Sequence, residues 1–214
     1  MIDDVRKKYA EAFRTYGDDD RSVFFPKGRQ FNRYQALIPS GIPRGATLLD
    51  YGCGLGKMYD WLGAIGRKDV GYCGVDITHE FIDHNRNKYP QAEFRHVAAP
   101  GELTGEWDVV AASGVFSILY TADRSKHLDF VFQTLSQLFH QNTKQLLSVD
   151  FMHDEVDYQQ EGAFHLSVAE AQAFVSAQLS KRYEIIRSQL PYEFSIRVWK
   201  DTALTSDGVY KDWT

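Results

Sequence analysis

Short apolar runs alternate along this chain with stretches whose apolar residues recur every three or four positions. Val5, Tyr9, Phe13 and Tyr16 fall on one stripe and predict a helix over 3–16. An acidic loop, Asp18-Asp19-Asp20, and an aromatic stretch with Phe24, Phe25, Pro26 and Gly28 lead to a second helix over 29–38, marked by Phe31, Tyr34 and Leu37. Thr47 to Tyr51 (TLLDY) reads as a buried strand running into Gly52-Cys53-Gly54-Leu55-Gly56. A helix over 57–65, a strand over 70–76, and a helix capped by Thr78 and stopped at Tyr89 by Pro90 come next. Strands are expected at 92–97, 107–112 and 144–150, with a helix over 125–140 spaced by Leu128, Val131, Leu135 and Leu138.

Ser167 and Glu170 fit a capping box that starts a helix to about residue 180. Tyr183 to Leu190 and Phe194 to Trp199 flank Pro191-Tyr192-Glu193 and read as two closing strands. Strands alternating with helices imply an α/β fold: a doubly wound, mostly parallel sheet covered on both faces. Residues 1–40 are expected to form a helical cover and 41–214 the main body of one compact domain.

Composition narrows the possibilities. The chain has 214 residues and a formal charge of −5, with 43% apolar and 25% charged residues, as an ordinary globular protein has. No apolar run reaches the roughly 20 residues of a membrane span. The opening MIDDVRKKYAEAF has no apolar signal core, and two cysteines cannot make a disulfide framework, so a cytoplasmic location is expected. A pI near 5.8 argues against a protein built to grip nucleic-acid phosphates.

The main chemical signal is the glycine turn together with Asp76, 20 residues beyond Gly56 at the end of the next strand. Glycines let a ligand approach the backbone closely, and an acid at that point can hold both hydroxyls of a ribose. A dinucleotide fingerprint places its third glycine one residue later, where Lys57 stands. Asp50, just before the turn, suits a cationic ligand better than a pyrophosphate.

The run Leu48 to Gly56 resembles the first motif of the class I S-adenosylmethionine-dependent methyltransferases. Trp107 to Phe116 looks like that family's fourth strand, and the closing hairpin like its sixth and seventh, which makes the last of seven strands antiparallel. Lys27-Gly28-Arg29-Gln30 with Arg33, Ala112 to Phe116, and Pro191 to Phe194 are similar to a group of small single-domain bacterial methyltransferases. The resemblance implies S-adenosyl-L-methionine as cofactor. Gly52, Cys53, Gly54, Gly56 and Asp50 would then line the methionine part, with Ser113 beside it. Asp76 and Ile77 would meet the ribose, and Ala98 and Ala99, or Glu102, the adenine, because the family's usual Asp is missing there.

Arg29 and Arg33 share one helix face, and Arg29 is expected to hold the cofactor's carboxylate. Tyr9, Tyr16 and the loop aromatics are expected to form an aromatic lid, with Tyr9 near the chemistry. His153 follows the fifth strand and is a candidate general base; Tyr158, Tyr192, Glu193 and Phe116 are candidate substrate contacts. The remaining histidines show no ligand spacing, so no metal site is expected. The expected function is methyl transfer to an O or N atom of a small molecule, with no nucleic-acid or membrane partner. A non-catalytic cofactor sensor or partner subunit, or an NAD-dependent oxidoreductase, are the alternatives.

Overall fold

A computed structural model describes residues 2–25, 29–188 and 190–200. Lys27 and Gly28 of the motif above, and residues 201–214 of the expected main body, lie outside the described residues. The chain opens with helices α1 (Ile2–Tyr16) and α2 (Gln30–Leu37). Strands β1 (Thr47–Tyr51), β2 (Gly71–Asp76), β3 (Glu93–His96) and β4 (Trp107–Ala112) follow, with α3 (Lys57–Ala64) and α4 (His79–Lys88) between the first three. Helix α5 (Arg124–Gln137) leads to β5 (Thr143–His153) and the two-residue β6 (His165–Leu166). Helix α6 (Val168–Phe174) precedes β7 (Tyr183–Ile186) and β8 (Glu193–Trp199).

The sheet runs β3-β2-β1-β4-β5-β8-β7, with β6 attached to the end of β5. All pairs are parallel except those of β8, which is antiparallel to both neighbours. This is the expected seven-stranded, mostly parallel sheet with an antiparallel last strand, and one short strand is added to it.

Alternation along the central strands makes two cores. Leu49, Val110 and Leu147 join Val131 and Leu135 of α5 and Ala171 of α6 on one face. Leu48, Val109 and Leu146 join Leu37 of α2, Met58 and Trp61 of α3, and Ile82 of α4 on the other. Each fully buried leucine contributes about 1.5–3 kcal/mol relative to an exposed one. Because β1 and β4 are buried on both faces, their sequences are mostly apolar without strict alternation, and both strands have the bounds that the pattern predicts.

Four predicted elements depart from expectation. Strand β7 ends at Ile186 and not at Leu190, α6 passes at Phe174 into a wider turn, Val175–Leu179, and α5 and β5 differ at their carboxyl ends. Helix α5 stops at Gln137 and continues as a wider turn, Leu138–Asn142, anchored by the Thr143 hydroxyl donating to the Leu138 carbonyl at 2.9 Å. Strand β5 runs on to His153 instead of stopping at Asp150, because β8 pairs with it through Met152↔Glu193 and β6 pairs with its last two residues. The capping box forms as predicted, with the Glu170 N–H donating to the Ser167 hydroxyl at 3.0 Å.

Helix α1 packs onto the body through Val5, Ala10 and Ala12, which are buried. Phe13 stands edge-on to Phe81 of α4 at 5.4 Å. Asp18 fastens the loop after α1: it lies 2.7 Å from the Lys88 ammonium, 3.5 Å from His84 and 3.7 Å from Lys57. Burial pushes the Asp18 carboxyl up, but the Lys88 and Lys57 ammonium groups outweigh it and hold it below the usual carboxylate range. Among the described residues, no helix is long and apolar enough to cross a membrane.

Candidate active site

At the carboxyl end of β1 the chain must turn sharply into α3, and glycine supplies the conformations: φ is +77° at Gly52, +49° at Gly54 and +68° at Gly56. The Gly52 and Cys53 N–H groups donate to the Val75 carbonyl at 2.8 and 2.9 Å, locking the turn to β2. A Cβ on Gly52 would run into the Val115 side chain. The Gly54 N–H donates to Asp76 Oδ2 at 2.9 Å, and the Thr78 N–H to Asp76 Oδ1 at 2.8 Å. Asp76 is therefore fixed by backbone donors, and each of its oxygens keeps a second acceptor position. Burial raises the Asp76 carboxyl overall, although both backbone bonds oppose this.

Above this turn lies a cavity of about 640 Å³, within the range of small-molecule and cofactor sites. Gly52, Cys53, Gly54, Asp76 and Ile77 form its floor. Val5, Lys8 and Tyr9 of α1 form the roof with Phe24 and Phe25. The far wall comes from Ser113, Val115 and Tyr120 after β4, from Tyr158 after β5, and from Tyr192 and Glu193 at the start of β8.

A buried ionic group joins these walls. Arg33 of α2 donates from Nε to Glu193 Oε2 at 2.6 Å and from Nη2 to the other carboxylate oxygen. Its Nε lies 3.8 Å from Asp150, and its guanidinium covers the Phe25 ring at 3.9 Å. Asp150 in turn accepts from the Gly114 N–H at 2.6 Å and the Ser113 hydroxyl at 3.1 Å. Burial raises the Asp150 carboxyl, opposed by Arg33. A Cβ on Gly114 would come within 2.8 Å of Arg33 Nη1, so glycine leaves room for the guanidinium.

Several expected site residues sit elsewhere. Asp50 lies beneath the turn, 3% exposed, and accepts from the Tyr72 hydroxyl at 2.7 Å. Burial pushes its carboxyl up to about 7, so it is no ready counter-charge for a ligand. Gly56 is buried against Tyr89 and Asn85, where it shapes the turn without lining the cavity. Ala98 and Ala99 also stay off the wall, and the Ala98 N–H donates to Glu102 at 3.0 Å, while Val97 and Pro100 face the cavity. Phe116 is 1% exposed and packs between Tyr51 and Phe151. Tyr16 points outward, with Arg21 over its ring at 4.7 Å.

His153 does not reach the cavity. As the last residue of β5 it is buried, with the Glu155 N–H 2.8 Å from Nδ1 and the Arg187 guanidinium 2.8 Å from Nε2. Arg29, expected to hold the cofactor's carboxylate, lines the cavity but is exposed, whereas Arg33 is buried and paired with Glu193. Glu193 is present, but paired and not isolated. The sequence reading missed Asp150 and the phenols Tyr51 and Tyr120; their alternation within or just after apolar runs gave no polar signal. Among the described residues, no group of three or more His, Cys, Asp or Glu could hold a metal.

Comparisons with known proteins agree with this geometry. A family model described as a methyltransferase domain matches residues 49–144, which covers the turn, Asp76 and the fourth strand. The ribosomal protein L11 methyltransferase of Thiobacillus denitrificans is 37% identical over 78 residues, 36% of this chain and 26% of that protein. The chain therefore spans about a quarter of the length of this curated relative. An Aquifex aeolicus SAM-dependent methyltransferase superposes with a TM-score of 0.59 at 15% identity, covering 90% of this chain and 98% of that one. The plantazolicin methyltransferase BpumL, in complex with SAH and a triazolic desmethylPZN analog, gives a TM-score of 0.61 at 15% identity over 94% and 98% of the two chains. Residues 49–144 thus match a methyltransferase domain, and the chain has the fold of these solved methyltransferases.

Proposed function

Starting from that methyltransferase domain, we propose that the protein transfers a methyl group from S-adenosylmethionine to a small molecule, at an oxygen or nitrogen atom. One observation carries this reading. A glycine turn and an amide-fixed carboxylate, Asp76, floor a cavity that is roofed by α1 and large enough for cofactor and acceptor together.

The cofactor supplies an electrophilic methyl carbon on a positively charged sulfur. The chain's own residues would bind, orient and exclude water. Asp76 accepts from the two ribose hydroxyls through its free lone pairs. Gly52 and Gly54 let the ligand lie against the backbone. Arg33, beside Ser113 and Gly114, faces the methionine end in place of Arg29. Val5, Tyr9 and Phe24 close the cavity, keeping water from the reacting atoms. Tyr158 and Tyr192 contact the acceptor. The aromatic lining favours a cation at its centre.

S-adenosylhomocysteine is expected to raise the melting temperature of the purified protein, since it binds only the folded state, and NAD is not. Stabilisation by NAD alone would end this reading. Transfer of label from methyl-tritiated S-adenosylmethionine to the low-molecular-weight fraction of a cell extract tests turnover directly. Tight S-adenosylhomocysteine binding with no transfer would instead support a sensor.

A further inference from the structure

Among the described residues, the acceptor side of the cavity contains donors but nothing free to take a proton. Tyr9, Tyr51 and Tyr120 all face the cavity. Among the described residues, the Tyr9 and Tyr51 hydroxyls have no hydrogen-bond partner, and the Tyr120 hydroxyl reaches only the Val115 carbonyl at 3.5 Å. The three lie close enough for Tyr120 to feel both other phenols and Asp76. Burial, as the largest effect, raises each of them, so they stay protonated.

The candidate bases are otherwise committed. No histidine lines the cavity among the described residues. Both Glu193 oxygens receive the Arg33 fork. Asp76 lies on the ribose side of the floor, and Asp4, at the rim, already has a partner.

Charge points the same way. Lys8, Arg29, Arg33 and Lys57 line the cavity. Arg33 is paired with Glu193, and Lys57 lies 3.7 Å from Asp18. Lys8 and Arg29 have no ion-pair partner among the described residues; Lys8 lies 4.6 Å above the Phe24 ring. These two cations share the lining with the Asp4 and Asp76 carboxylates, so their attraction for an anion is local to their own positions.

We propose that the acceptor is a small-molecule carboxylate, held on the Tyr9, Tyr51 and Tyr120 hydroxyls and converted to its methyl ester. This rests on the methyltransferase reading above. A carboxylate is ionised at pH 7 without help, whereas an alcohol or a phenol needs a base. A phosphate ester calls for arginine forks converging on it; Glu193 takes the Arg33 fork, which leaves the exposed Arg29 alone. In the step, one carboxylate oxygen lone pair forms the new O–CH3 bond while the C–S bond breaks and its electron pair stays on sulfur. No proton is taken up or released.

The test uses the full chain, methyl-tritiated S-adenosylmethionine and the low-molecular-weight fraction of the source cells. Labelled product is treated with alkali, which hydrolyses methyl esters to volatile methanol and leaves methyl ethers and N-methyl groups intact. Alkali-volatile label, with no net proton release and a rate flat between about pH 6 and 8, is the expected result. Alkali-stable label on a small molecule overturns the carboxylate and leaves the methyltransferase reading standing. No label on any product, with S-adenosylhomocysteine still bound, overturns both. Tyr120→Phe and Tyr9→Phe keep the rings and are expected to lower kcat/KM on the order of ten-fold each, as loss of a bond to a charged group does, with S-adenosylhomocysteine affinity unchanged. Lys8→Gln is expected to raise KM for the labelled acceptor without changing kcat. Unchanged kinetics in both tyrosine variants would overturn the phenol seat.

Discussion

The floor of the cavity and its far wall are held by different kinds of bond. From Thr47 to Thr78 the chain folds back on itself within one βαβ unit, and backbone N–H groups of Gly52, Cys53, Gly54 and Thr78 fix the turn and Asp76. The far wall is gathered from segments distant in sequence and joined by side chains: Arg33 and Glu193 lie 160 residues apart. Backbone bonds follow from local conformation and tolerate exchange of most side chains. A buried ionic group depends on each member, because removing one leaves the others desolvated and unpaired. The floor is thus suited to a ligand that never changes, and the wall is where a few substitutions would alter specificity.

The largest effect separating the two regions is expected at Arg33. Arg33→Met leaves Glu193 and Asp150 without their cation and is expected to destabilise the fold by about 3–5 kcal/mol, measured by urea denaturation. Adding Glu193→Gln should recover part of that loss. A single variant as stable as the parent would break the contrast, since the wall would then stand without its ion pair.

Asp50 offers a comparison beneath the floor. Its folded-state pKa is raised to about 7 from an ordinary 3.8. The protonated form is therefore favoured by folding: this stability is fully present below about pH 4 and is lost as pH rises through 7. Asp50→Asn, keeping a partner for the Tyr72 hydroxyl, is expected to remove a decline on the order of 2–4 kcal/mol between pH 4 and pH 8. Parallel pH–stability curves for the two proteins would contradict it.

Asp76→Ala tests the floor's use of a side chain. It is expected to weaken S-adenosylhomocysteine binding by about 1.5–3 kcal/mol, read by calorimetry, and to weaken adenosine equally, because both contain the ribose. A loss confined to S-adenosylhomocysteine would move Asp76 to the methionine end.

The smallest effect probes where floor and roof touch. A Cβ on Gly54 would meet Val23 at 3.2 Å, in a left-handed conformation. Gly54→Ala is expected to cost about 1–2 kcal/mol in thermal unfolding, and Val23→Ala to relieve only the contact part. Full rescue would mean that conformational strain is negligible there.

Sequence pattern and structure agree where local physics decides. Strands β1 and β4 are legible because burial on both faces leaves short apolar runs, Leu48-Leu49 and Val109 to Ala112, and the glycine turn because its backbone conformations disfavour other residues. The far wall was less legible. His153 looked like a loop residue beyond a strand ending at Asp150. Pairing with Glu193 and β6, which no local signal announces, extends β5 and buries it. Arg29 and Arg33 are equivalent on a helical wheel; only the position of Glu193, fixed by an antiparallel strand far along the chain, distinguishes them. Tyr51 and Tyr120 carry no mark in sequence, since tyrosine suits a core as well as a cavity.

Asp18 gives the roof a kinetic property. One carboxylate gathers Lys57 from the first turn of α3 and His84 and Lys88 from α4, so α1 is pinned where the glycine turn ends. These ions are partly exposed and are weakened by added salt. The residence time of whatever lies beneath α1 should therefore shorten as ionic strength rises, while the amide-fixed floor keeps its shape. Where departure of the spent cofactor limits the cycle, turnover would accelerate in salt, the reverse of the slowing expected when salt only screens an incoming anion.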